Sequence, residues 1–396
     1  MNEKFDKEDA PPPYASLQAG LTGRDIFNAI SKSGYPFQAE VADVLRTALS
    51  EFDKRPTIQE EWAYVDSDSG QTRSIDVLAE ASILDSEFET QYKGPISPYV
   101  SLLIECKQSE TPYIFFLRGD YPTRSFSFPE IAGLKNTDVQ IYGFPPGIEN
   151  DAPWLMSIHD LIGCHHLPFF NTPTLFAVSF AKSSWRKGGN LELSGEEAYR
   201  GLTLPLIKAS EHFRGASSPA ADQDAFTLRF IVPLAVIRAP MIGAYLHNGK
   251  HVLMGIPWVR CCRTDPWPDK TGSGPFLAED SNLHYFDVVH ESFLSEYLNI
   301  LMRDMRSASE NIIKNSEVIA AGYGVHVPND SSDARIASLP EDILSAYNLS
   351  ADPIGRISAV SPPLEFELSP DVEKLADGDL MWVFGDRIVT PFSEPE

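Results

Sequence analysis

Apolar residues recur at helical spacing between Phe37 and Phe52, where Val41, Val44, Leu45, Ala48, Leu49 and Phe52 fall on one face. Gly34, Tyr35 and Pro36 mark the turn that feeds this predicted helix, and Glu40 lies in its first turn. Ile58 to Val65 and Thr72 to Ala81 alternate in polarity around the turn Asp66 to Gly70, which predicts a hairpin with Asp76 inside its second strand. Tyr99 to Cys106 is apolar at both parities, as a central strand buried on both faces must be. Charge appears abruptly at its end, as Glu105 and Lys107.

Farther along, Gly119 to Pro168 is rich in Pro, Gly and Asp without a clear period and reads as a long insertion with little regular structure. Leu175 to Phe180 predicts a short strand. Ser194 and Glu197 form a capping-box pattern ahead of a helix running toward His212, which Pro205 should kink or divide. Phe226 to Tyr245 and Val252 to Cys262 are apolar runs about His247, Asn248 and Gly249, the pattern of a second hairpin. Tyr285 to Val289 is a further strand, and Phe293, Leu294, Tyr297, Leu298, Leu301 and Met305 line one face of the helix after it. The expected organisation is a flexible arm over 1–20, an α/β domain over 21–310 and an acidic extension or small accessory domain over 311–396.

Composition narrows the class. The chain has 396 residues, 43% hydrophobic, enough for a substantial core. Its net charge of -24 is unevenly spread: residues 161–300 hold 13 acids against 12 bases, whereas 301–396 hold 17 against 7. A polyanion-binding face is therefore expected within 161–300, and the acidic surplus elsewhere suits a protein partner or an autoinhibitory tail. Four cysteines, Cys106, Cys164, Cys261 and Cys262, do not make a disulfide framework and fit a reducing compartment. No long uninterrupted apolar run occurs, and Met1 to Pro13 lacks a signal pattern, so the expectation is a soluble cytoplasmic protein that does not enter a membrane.

The candidate chemistry lies at the end of the apolar strand. Side chains alternate along a strand, so Glu105 and Lys107 share one face while Cys106 points to the other. With Asp76 on a neighbouring strand, Asp76 and Glu105 supply hard oxygen ligands suited to Mg2+. Lys107 would then orient the attacking water or stabilise its hydroxide. Such a centre favours in-line displacement at phosphorus, and the reaction class is metal-assisted phosphodiester hydrolysis.

Ser74-Ile75-Asp76 followed by Leu103-Ile104-Glu105-Cys106-Lys107 resembles the PD-(D/E)xK, or restriction-endonuclease-like, nuclease superfamily. Gly34-Tyr35-Pro36-Phe37 before the Glu40 helix, Arg73 before Asp76, and Ser109, Pro112, Phe115 and Phe116 after Lys107 extend the likeness over about residues 34–117. Ile75 replaces the family's Pro. The resemblance implies a restriction-endonuclease-like core, with a mixed central sheet flanked by helices. It implies Asp76 and Glu105 as metal ligands, Lys107 as the catalytic lysine, Glu40 as an additional acidic residue, and Mg2+ as cofactor with Mn2+ as substitute. It also implies an endonuclease acting on DNA in preference to RNA, in restriction, phage defence or repair, and a homodimer where two strands are cut.

Other readings remain open. An E-x-K triplet is also a common solvated strand end, and an acid such as Glu40 is favoured in a first helical turn by the helix dipole alone. A catalytically degenerate fold binding nucleic acid or a protein partner keeps the same motifs. His159, Asp160, Cys164, His165 and His166 cluster without the paired spacing of zinc sites, the basis of a rival zinc-dependent hydrolase. Lys182, Trp185, Arg186 and Lys187 form a basic loop around an aromatic, able to clamp phosphates or stack a base, and Arg260 and Arg263 share that ambiguity. Cys261 and Cys262 read as core. No Walker-type loop occurs.

Overall fold

The computed structural model describes residues 17–18, 20–84, 92–119, 128–142, 153–164, 167–171, 175–186, 189–220, 225–247, 250–264, 283–327, 335–337, 382–384 and 387–389. Thr22 opens the helix Gly23–Lys32 (α1) through a capping box with Asp25, ahead of the first helix the sequence predicts. Gly34, at φ +82°, makes the left-handed turn into Tyr35–Ser50 (α2), with Pro36 in its first turn. Thr57–Val65 (β1) and Thr72–Ser82 (β2) form the expected antiparallel hairpin, and Ile96–Gln108 (β3) pairs with the other edge of β2. The following strands are Tyr113–Arg118 (β4), Glu130–Ala132 (β5), Asp138–Tyr142 (β6), Trp154–Ser157 (β7), Phe176–Trp185 (β8) and Leu191–Ser194 (β9). After the helix Leu204–Ala216 (α3) come Phe226–Arg238 (β10), Met241–His247 (β11), Lys250–Gly255 (β12), Trp258–Thr264 (β13) and Leu283–His290 (β14). The helices Leu294–Lys314 (α4) and Ser316–Ala321 (α5) lead into Tyr323–Val327 (β15).

The protein is an α/β structure around a large mixed sheet. Its path is β1-β2-β3-β10-β14-β13-β8-β4-β11-β12, with β5 added on β10 and β9 on β8. β3 and β10 run parallel in register from Ile96–Phe226 to Gln108–Arg238, and β10 continues parallel onto β14. A parallel centre must be covered on both faces, which is why these strands are apolar at both parities. On one face Phe37, Val41 and Leu45 of α2 and Tyr297, Leu301 and Met305 of α4 pack with Val77, Ala79, Leu102, Ile104, Val232 and Leu234. On the other, Ala209 and Phe213 of α3 pack with Leu78, Leu103 and Ile231, and Leu202 and Leu206 with Ala235 and Ile237. Among the described residues no helix is long and apolar enough to cross a membrane.

Several expectations are corrected. The run Phe226 to Tyr245 divides into β10 and β11 at Pro240, and Val252 to Cys262 into β12 and β13 at Pro257. Pro233 and Pro98 lie inside β10 and β3 in unbroken register, so a missing N–H does not by itself end a strand here. The hairpin itself joins β11 to β12, as expected. At the helix begun by Ser194, Pro205 acts as anticipated: one helical turn, Gly195–Ala198, passes through a π-turn over Tyr199–Thr203 before α3 starts with Pro205 in its first turn. The stretch 119–168 is not a plain insertion. β5 joins the main sheet, while β6 and β7 belong to a second sheet completed by β15 and Arg335–Ala337, and Ile131, Val139, Ile141, Ile158 and Ile162 enter the core. Strands of three to five residues are too short to display a period. Nor does the domain stop at 310: α4 continues to Lys314, Val318 and Ile319 of α5 are buried, and β15 pairs with β6. Most of the arm 1–20 and residues 338–381 of the extension lie outside the described residues.

Gly133, just after β5, has φ +83°, and a Cβ there would stand 1.8 Å from the Thr227 carbonyl oxygen on β10. Both backbone strain and overlap oppose any side chain. Gly133→Ala is expected to destabilise the fold by about 2–4 kcal/mol, read as a urea midpoint shift at unchanged slope. An unshifted midpoint would show that β5 does not hold its place on β10.

Candidate active site

Asp76 sits where β2 leaves β3. Registered pairing between the two strands ends at Val77–Ile104, and the β1–β2 ladder passes from Glu60–Val77 to Trp62–Ile75 without pairing Glu61 and Asp76. Glu61 there has φ +51°, a left-handed conformation uncommon outside glycine. The break leaves the Cys106 N–H without a ladder partner, and Asp76 Oδ2 accepts it at 2.7 Å. A backbone donor that would otherwise be orphaned thus fixes the carboxylate against β3.

The alternation expected for β3 places Glu105 and Lys107 together. Lys107 Nζ donates to Glu105 Oε2 at 2.7 Å and stands 3.7 Å from Asp76 Oδ2. Asp76, Glu105 and Lys107 therefore converge as the sequence suggests, while Cys106 packs against the opposite apolar layer. Glu105 is 4% exposed. Burial raises its carboxyl to about 7, against the lowering pull of the Lys107 ammonium and with a further raising contribution from Asp76. Burial works to lower the Lys107 pKa, but the Glu105 and Asp76 carboxylates outweigh it and hold the ammonium above its usual range. Lys107 is a fixed cation and hydrogen-bond donor at neutral pH.

The surroundings include residues that sequence patterning did not single out. Glu61 contributes to the negative field at Glu105. Tyr64, buried and stacked on Trp62, donates its hydroxyl to the Pro205 carbonyl at 3.2 Å, tying the hairpin to the helix that follows the π-turn. Burial pushes its phenol up to about 12, and burial does the same at Tyr113, which feels the opposing charges of Lys107 and Glu197. Nothing in the local sequence marks these residues, because they reach the site from β1 and β4 and not from the strands that carry Asp76, Glu105 and Lys107.

Asp76 and Glu105 fit a hard divalent cation in their chemistry: two carboxylates on adjacent strands, one partly open to solvent, suit an ion that keeps most of its waters. Among the described residues no group of three or more His, Cys, Asp and Glu side chains is assembled for a metal. The ion would rest on this pair and on solvent.

Glu40 is not brought to this site. It rides on α2 and pairs with Arg238, which also binds Glu291 and lies over the Phe37 ring. Arg238 is in register with Gln108, so it shares the Cys106 side of the sheet, away from Glu105 and Lys107. The expected basic loop is instead the end of a strand: Lys182 and Trp185 lie on β8, paired with β9, and Arg186 follows directly. Lys182 pairs with Glu197 at 2.6 Å and Arg186 with Glu192, while Trp185 is 67% exposed. Two of its cations are thus locally neutralised. Lys187 lies outside the described residues.

The remaining candidates are structural. His159 bonds the Pro129 carbonyl at 2.7 Å and Cys164 is buried; His165 and His166 lie outside the described residues. Cys261 and Cys262 are core, as expected. Arg260 is fully buried in a two-pronged pair with Asp287, and Arg263 donates to the Val178 carbonyl at 3.2 Å, so Arg260 is no phosphate contact. For this chain, a scan of protein-family models and searches of curated proteins and of solved structures each give no match.

Proposed function

We propose that this chain is a Mg2+-dependent nuclease with a restriction-endonuclease-like core, acting as a DNA endonuclease in restriction, phage defence or repair. The observation that carries this reading is the convergence of Asp76, Glu105 and Lys107 at the break between β2 and β3. Asp76 and Glu105 would hold the ion, which when bound polarises the phosphodiester and acidifies water. Lys107, permanently charged, donates to the attacking water or to the anionic oxygens that gain charge at phosphorus. The water oxygen bonds to phosphorus as the bridging P–O bond breaks. One proton leaves the water and one reaches the departing oxygen, giving a phosphate monoester and a hydroxyl end. Mn2+ would serve in place of Mg2+.

The test is cleavage of supercoiled plasmid, single-stranded DNA and RNA with Mg2+, Mn2+ or EDTA. Metal-dependent cutting of DNA supports the reading. No cutting of any substrate, together with retained binding, favours the catalytically degenerate alternative, for which the direct Lys107–Glu105 contact already neutralising the pair is the supporting observation.

The Glu105 carboxyl sets a pH signature. A cation must displace its proton, so the affinity for Mn2+ is expected to rise about tenfold per pH unit below 7 and level off above it. Stability without metal runs the other way. The folded state holds this proton more tightly than the unfolded chain, so stability falls as pH rises from the ordinary carboxyl value, 4.5, through about 7. The loss is of the order of 3 kcal/mol. Glu105→Gln should flatten that slope in denaturant melts across this window, and an identical slope in the variant would remove Glu105 as its source.

A further inference from the structure

A cleft of about 450 Å³ opens on the same face of the sheet as Asp76, Glu105 and Lys107, but at the other end of the strands. Its walls come from the turn before β1, the end of β2 and the starts of β3 and β10. Asp53 holds that turn in place: its Oδ2 accepts the Ser82 N–H and its Oδ1 the Arg55 N–H, both at 2.8 Å. The backbone that carries Lys54 and Arg55 is thereby held at the rim, and neither side chain has an acidic partner among the described residues. Opposite them, Glu80 accepts from Ser101 Oγ at 2.9 Å and from Arg229 Nε at 3.1 Å. That contact uses the inner nitrogen of the guanidinium, not its two terminal nitrogens. Thr57, Tyr99 and Thr227 add hydroxyls to the lining.

Some exposed cations of this acidic chain are paired with carboxylates, as Arg46, Arg186 and Arg200 are, whereas Lys54 and Arg55 lie side by side at a cleft without one among the described residues. Lys54, Arg55 and Arg229 outnumber the Asp53 and Glu80 carboxylates of the lining, both of which are engaged with protein donors, and this surplus of cationic donors around one cleft suits a phosphate ester. The volume exceeds what a bare phosphate fills and falls in the range of small-molecule sites. We propose that this cleft binds a phosphate ester of about nucleotide size, at a site separate from the Asp76 centre. Leu78, Leu103 and Ile231, covered by α3, lie between the two on the same face. Glu105 lies six residue steps along β3 from Tyr99, about 20 Å. The cleft therefore does not share a ligand group with the Asp76 site, and its occupancy does not depend on the chain being a nuclease.

Calorimetric titration in EDTA tests this with inorganic phosphate, AMP and a short single-stranded oligonucleotide, on the full chain and on two variants, Lys54→Ala with Arg55→Ala, and Arg229→Lys. EDTA keeps divalent ions from the Asp76 site, and Lys54 and Arg55 are exposed, so their removal leaves the core intact. The expected result is AMP binding tighter than phosphate and weakened about tenfold in each variant, since Lys cannot reproduce the arginine fork. Binding of the oligonucleotide alone, lost in the same variants, would assign the phosphate to a nucleic-acid backbone instead of a free nucleotide. Failure of all three probes to bind, or binding indifferent to both variants, overturns the proposal.

Discussion

Lys107→Met is expected to lower metal-dependent cleavage by about 10³-fold, the scale of losing one pre-positioned donor to developing negative charge. The effect should fall on the single-turnover rate more than on substrate binding, because the ammonium stands 2.7 Å from Glu105 and 3.7 Å from Asp76. A second readout separates this from general damage. Lys107 holds the Glu105 pKa down against burial, so its removal should move the pH midpoint for metal binding above 7. Asp76→Asn is the companion variant: its amide oxygen can still accept the Cys106 N–H, so the fold should persist while cleavage is lost. Cleavage by Lys107→Met within a few-fold of the parent, at an unmoved pH midpoint, would remove Lys107 from the mechanism.

The largest expected loss of stability lies elsewhere, at the Arg260–Asp287 pair. Both side chains are fully buried; Nε meets Oδ1 at 2.8 Å and Nη2 meets Oδ2 at 3.0 Å. The guanidinium also donates to the carbonyls of Phe169 and Phe170 and lies 4.1 Å from the Phe128 ring centroid, and Tyr297 donates to Asp287 Oδ2 at 3.0 Å. Asp287→Ala strands a buried cation and the Tyr297 hydroxyl together. It should cost about 3–5 kcal/mol in urea unfolding, with Arg260→Met in the same range. The double replacement Arg260→Met with Asp287→Leu should be less damaging than the sum of the singles, because no charge is left unpaired. Additive losses would mean that the two residues act independently. The pair anchors β13 to β14 and to the Phe169–Phe170 turn, so its charge serves packing and not ligand binding.

Local chemistry made much of the architecture legible. The Asp66 to Gly70 turn closes on itself through Asp66 and Gly70, and so the hairpin appears where alternation places it. β3 is apolar at both parities because it lies between β2 and β10 beneath helices on both faces, and that condition is written in Tyr99 to Cys106. β6 and β15 were not legible in the same way. They are short, and each acquires its place from a partner some 180 residues away in the chain, where no local period can register.

The Asp76, Glu105 and Lys107 grouping was readable because strand parity fixes which side chains share a face. Whether Glu40 joins them was not, since helix periodicity gives the buried stripe of α2 but not the side of the sheet it covers. Arg260 illustrates the same limit: in sequence it is one more basic residue beside two cysteines, and only the arrival of Asp287 and Tyr297 from elsewhere makes it a buried structural charge. The sequence by itself determined the hairpin, the central strand, the long amphipathic helices and the pairing of a carboxylate with a lysine on one strand face, because these depend on spacing within a single element. The tertiary structure alone decided the strand order, the break at Glu61 that turns Asp76 onto Cys106, the removal of Glu40 to the opposite face and the gathering of Lys54, Arg55 and Arg229 around one cleft. Each of these depends on which distant elements meet, and that is set by the burial of the whole core.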